Sequence, residues 1–158
     1  MKILLPVDGT ELSLHETRFA LRLIQEGLRA SFVLANVQEP ASFYEMVTAQ
    51  DPQLIENAAL EAGEDLMAPS AQLLQEAGVE YETAVISGDP AQAMLELIEI
   101  HGCDMVVMGS RALGLIRRAL EGGSTSQRLV QDSPVPVLLV KPPVVEDAEE
   151  LEEMDEGV

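Results

Sequence analysis

Cysteine, lysine and the aromatics are scarce in this sequence. There is one cysteine, two lysines, no tryptophan, three phenylalanines and two tyrosines. A lone Cys103 excludes an internal disulfide framework and a cysteine-cluster metal site, and it suits a reducing compartment. Neither Lys2 nor Lys141 follows a glycine, so the Gly-Lys-Ser/Thr of a P-loop is missing. The Gly-x-Gly-x-x-Gly dinucleotide fingerprint follows none of the strands read below. Few aromatics and a net charge of −19 argue against nucleic acid, whose phosphates need Lys and Arg and whose bases need stacking platforms. No apolar run approaches the roughly 20 residues of a membrane span. Met1-Lys2 precedes only five apolar residues before Asp8, too few for a secretory signal. The expectation is a soluble cytoplasmic protein with neither a membrane nor a nucleic acid as partner.

What is present is apolar bulk and acid. Apolar residues make up 47% of 158, enough for one core that buries roughly 70% of the unfolded surface. Eight acids and no base occupy the last 13 residues, and without them the body carries −11. The expected organisation is one domain over residues 1–142 and an acidic, disordered, solvated tail over 143–158.

Short apolar runs alternate with helical patterns. "KILLPV" (2–7), "SFVLANV" (31–37), residues 79–86, "DMVVM" (104–108) and "VPVLLV" (135–140) read as strands. Between the first two, Ser13 and Glu16 read as a capping box opening a helix. Residues 38–50 read as an irregular loop. Asp51-Pro52 and Asp89-Pro90 each read as an N-cap followed by proline at the first helical position. Pro69 is expected to kink or break the helix that Asp51 opens. Residues 124–132 read as the last helix. Near-continuous apolar strands alternating with helices predict a three-layer α/β fold with a parallel sheet covered on both faces. His15, on a helix, and His101, before the Gly102 stop, read as structural, as does Cys103 before its strand.

Four of the nine basic residues, Arg111, Arg117, Arg118 and Arg128, crowd into "SRALGLIRRALEGGSTSQR" against a single acid, Glu121. Ligands of open parallel sheets bind outside the carboxyl ends of strands, where Asp8 and Gly109 fall. Gly122 to Ser126 precedes the last helix, and a helix start offers free amides and a positive dipole end to an anion. Asp8 is suited to a ribose hydroxyl or to a divalent metal carried on phosphates. Turn glycines and arginines paired with surface acids account for the same pattern, and the residues alone leave the two readings level.

The stretches "LLPVDGTELS", "GDPAQAMLELIEIHGCDMVVMGSR" and "GGSTSQRLVQDSPVPVLLVK" resemble the universal stress protein family, in order, over residues 1 to about 142. The resemblance implies a five-stranded flavodoxin-like sheet of order 3-2-1-4-5, usually in a dimer. Its ATP-binding members carry Gly-x-x-Gly, nine residues, then Gly-Ser/Thr. By that likeness Gly109 and the Gly123-Ser124 pair would cradle the phosphates, with hydroxyls from Thr125 and Ser126, and Met108, Arg111, Ala112 and Gly122 would belong to the same nucleotide site. Asp8 would lie near ribose and metal, and Pro6, Val7 and the Val37 backbone would border adenine. Two departures are visible: Ala112 stands where the second glycine belongs, and ten residues separate it from Gly123.

The expected function is a dimeric regulatory module of the stress response that binds ATP, ADP or AMP with Mg²⁺ and signals to an unidentified protein partner. The alternatives are a nucleotide-free dimeric interaction protein of the same fold, or a slow ATPase. With the fifth strand at the sheet's edge, a homodimer through Val137–Val140 is expected.

Overall fold

The computed structural model of the chain describes residues 1–48, 50–110 and 125–143. Among the described residues five strands and five helices follow in the order β1 (Lys2–Pro6), α1 (Glu11–Gln25), β2 (Ser31–Gln38), α2 (Phe43–Thr48), α3 (Pro52–Glu76), β3 (Tyr81–Ser87), α4 (Pro90–His101), β4 (Met105–Gly109), α5 (Thr125–Asp132) and β5 (Val137–Val140). The strands form one sheet of order β3-β2-β1-β4-β5, every pair parallel. Parallel neighbours need crossovers over the faces, so both faces are covered and β1, β2 and β4 are buried almost throughout.

Alternation along the strands divides the core in two. Ile3, Leu5, Phe32 and Leu34 point to one face with Ala20, Met67 and Leu74 from α1 and α3. Leu4, Val33, Val106 and Met108 point to the other with Met94, Leu97 and Leu129 from α4 and α5.

Both Asp-Pro helix starts behave as read: Asp51 accepts the Gln53 amide and Asp89 the Gln92 amide. Gly102 closes α4 in the left-handed region at φ 63°. Three expectations are corrected. First, α1 is capped by Thr10, whose hydroxyl accepts the Ser13 amide, and not by a Ser13–Glu16 box. The Asp8-Gly9-Thr10 turn delivers the chain to the helix three residues earlier, so Ser13 and Glu16 lie inside it. Second, the stretch read as loop contains α2, opened by the reciprocal capping box of Ser42 and Glu45. Third, α3 runs 25 residues without a break at Pro69. Proline removes one amide donor, and buried Met67, Ser70 and Leu74 on either side anchor the helix across the gap.

Candidate functional site

The order of the sheet reverses between β1 and β4, the place where open α/β sheets form a crevice at the carboxyl ends of their strands. The register between these two strands runs through Ile3–Met105 and Leu4–Val106. β1 instead stays with β2, continuing until the Val7 amide reaches the Ala35 carbonyl at 2.8 Å. β4 stays with β5, through Gly109–Val140 and the Ser110 amide on the Val140 carbonyl at 3.0 Å.

The chain leaves β1 through a tightly bonded turn. One carboxylate oxygen of Asp8, Oδ1, accepts the Thr10 amide at 3.0 Å, the Thr10 hydroxyl at 2.6 Å and the Ser13 hydroxyl at 2.5 Å. Gly9 sits at φ 80°, a left-handed conformation that favours glycine, and a Cβ there would press on the tip of the Leu66 side chain at 2.7 Å. Asp8 is therefore a turn-closing residue, with Oδ1 fully engaged by its neighbours.

Two polar side chains that carry no motif hold the strand ends. Asn36, buried in β2, donates its Nδ2 to the Val7 carbonyl at 2.9 Å and accepts the Gln38 carboxamide on Oδ1. Glu16, on α1 and 1% exposed, accepts the Gly109 amide on Oε1 at 2.6 Å. Its Oε2 is buried and has no hydrogen-bond partner among the described residues. Burial pushes the Glu16 carboxyl from 4.5 up to about 8; the Gly109 hydrogen bond opposes that shift and the charge of Asp8 adds to it. At neutral pH the group is mostly a neutral acid. Thr17, one residue on, donates to Ser70 of α3 at 2.8 Å and fixes this turn of α1.

Of the residues named from the sequence, Pro6, Val7 and Asp8 lie at the carboxyl end of β1, Val37 at that of β2, and Met108 and Gly109 at that of β4. Six positions from three separated segments thus share one edge of the sheet. Thr125 and Ser126 are the first two residues of α5. Arg111, Ala112, Gly122, Gly123 and Ser124 lie outside the described residues. The amide of Gly109, a residue expected beside the phosphates, is bound to Glu16. Arg128 faces Asp89 at 3.4 Å, an exposed pair worth little. His15 meets the Lys141 carbonyl and His101 meets Glu82, both at 3.0 Å. Among the described residues no three His, Cys, Asp or Glu side chains gather as a metal cluster.

Glu16 and Asn36 were not among the sequence candidates. Asn36 left a signal, a lone carboxamide inside the apolar run "SFVLANV". Glu16 left only the Ser-x-x-Glu spacing that imitates a helix cap.

Known proteins agree with this architecture. A universal stress protein of Methanocaldococcus jannaschii is 28% identical over 142 residues, covering 90% of this chain and 82% of its own. A solved universal stress protein in complex with cAMP superposes with TM-score 0.65 at 21% identity, over 89% of this chain and 96% of its own. One from Arabidopsis thaliana with AMP bound gives 0.63 at 19%, over 92% and 94%. The model of the universal stress protein family matches residues 1–141, and the chain belongs to that family.

Proposed function

We propose that this protein is a regulatory module that binds an adenine nucleotide, ATP, ADP or AMP, at the carboxyl edge of its sheet. The observation that supports this reading is the reversal of strand order between β1 and β4, the place where open α/β sheets take ligands, with candidate residues of three segments at the carboxyl ends of the strands beside it. The AMP and cAMP bound by two proteins of this fold support it. Pro6, Val7 and the Val37 backbone would border the base. Residues 109–112 and 122–126 would take the phosphates, and Mg²⁺ would enter on those phosphates. The module would act in the cytoplasm as a homodimer joined through β5, passing its occupancy to a protein partner. Titration with a fluorescent ATP analogue, competed with AMP, tests the binding: saturation at one site per chain supports it, and a flat titration of folded protein rejects it.

A second reading, a nucleotide-free dimeric interaction protein, is favoured by one observation. The Gly109 amide and Asp8 Oδ1, two groups a nucleotide would want, are both engaged inside the chain. The same titration separates the two readings. Turnover measured beside an Asp8→Asn control separates slow ATP hydrolysis from binding alone.

A further inference from the structure

Acid and base are unevenly divided along this chain. Residues 146–156 carry eight acids and no base, and they follow closely on Pro143, the last described residue. The chain leaving β5 toward them runs against α1, where His15 Nε2 donates to the Lys141 carbonyl at 3.0 Å. α1 begins at this carboxyl edge of the sheet and leads back toward the other. A chain departing from Lys141 therefore starts beside the first turns of α1.

That helix presents bases on its outer side. His15, Arg18 and Arg22 recur at i, i+3 and i+7, which places them on one helix face. Ser13, Glu16, Thr17 and Ala20 form the buried side, whereas Arg18 and Arg22 are exposed. Every ion pair among the described residues belongs to Lys2, His101 or Arg128, so neither arginine has an acidic partner there. Glu11 in the first turn and Glu26 at the cap confine the basic stretch to residues 15–22.

We propose that residues 146–156 of the same chain dock on this face of α1, with their carboxylates against Arg18 and Arg22. The reach fits. The two arginines lie about 5 and 10 Å along the helix axis from His15. An extended chain covers about 10 Å in the three steps from Pro143 to Glu146. The first acids thus arrive level with the arginines, and the others follow past them. A single exposed pair contributes little, but so short a tether holds the acids at an effective concentration on the order of millimolar. Eight carboxylates can also exchange over the two guanidinium groups. Charge and not a groove holds the segment, so salt releases it. The proposal stands apart from nucleotide binding, since it uses only the outer side of α1.

The test attaches a nitroxide at Ala148→Cys, which keeps all eight acids and leaves Cys103 buried in the core. Relaxation broadening of the amides of residues 17–23 is then compared between the full chain and the same chain carrying Arg18→Gln and Arg22→Gln. A tether without docking broadens both equally. Docking predicts broadening about threefold or more stronger with the arginines present, falling to the level of the double variant in about 0.5 M NaCl. Both substitutions are on exposed residues, so the unfolding temperature should hold. Equal broadening in the two proteins at low salt overturns the proposal. Broadening confined to mixtures of nitroxide-bearing chains with isotope-labelled chains lacking it also overturns it, because a second copy would then cover the face.

Discussion

Asn36 and Val7 are joined across two strands: the buried carboxamide of one donates to the main-chain carbonyl of the other at 2.9 Å. Backbone pairing already brings the Val7 amide to Ala35, so both polar groups of Val7 are bound to β2. The carboxyl end of β1 is thereby fixed beside Val37, as a wall for a flat ligand requires. Asn36→Leu keeps the size and removes the bond, leaving the Val7 carbonyl and the Gln38 carboxamide short of partners. It should cost about 1–3 kcal/mol in denaturant unfolding and weaken nucleotide binding as well.

Gly63 of α3 presses on the same place. A Cβ at this residue would lie 2.6 Å from Val85 Cγ1 and 3.2 Å from Asn36 Oδ1. The helix must therefore withdraw from the sheet if any side chain is added. Gly63→Ala should lower stability by about 1–3 kcal/mol although alanine is the better helix former, and the double substitution Gly63→Ala, Val85→Ala should recover part of the loss.

The proton on Glu16 has a signature in stability. Its folded value of about 8 lies above the ordinary 4.5, so between those limits the native protein holds a proton that the unfolded chain has released. Stability therefore falls as pH rises through that window, and the contribution is level above it. Thermal unfolding should show Glu16→Gln gaining on the wild type from pH 5 to pH 8, by on the order of a few kcal/mol in total, with no further gain beyond. A constant difference across the range would contradict the assignment.

At the other edge of the sheet, Leu139 is 42% exposed while its neighbour Val140 is buried. Leu139 pairs with Met108 on the inner side, and its strand is the outermost. An apolar edge strand of this kind invites a second copy. Leu139→Lys should leave the fold and unfolding temperature nearly unchanged and convert the proposed dimer to monomer in sedimentation at micromolar concentration.

Much of the fold was legible because buried parallel strands are apolar almost without interruption, as "KILLPV" and "DMVVM" are, and because Asp51-Pro52 and Asp89-Pro90 announce helices through local chemistry. Two of the three errors share a physical cause. Ser13 and Glu16 have the spacing of a helix cap, yet that spacing equally puts both side chains on one buried helix face; Ser13 turns to Asp8 and Glu16 to Gly109. Ser42 and Glu45 show the same spacing in its capping role, in a segment whose polarity reads as loop. A pattern four residues long cannot say whether its partner is three or 93 positions away. The sequence thus led to the carboxyl edge of the sheet through Asp8 and Gly109. The partners of the two side chains that hold that edge, Glu16 and Asn36, became visible only with the tertiary contacts.

The most direct test is to purify the protein without added ligand and identify any small molecule released on denaturation by mass spectrometry, followed by saturation of the stripped protein with ADP. Binding at the carboxyl edge of β1 and β4 predicts an adenine nucleotide in the released fraction, or one equivalent taken up per chain with shifts at Val7, Val37 and Gly109. A folded, stripped protein that takes up no ADP at millimolar concentration, with those resonances unmoved, would contradict it.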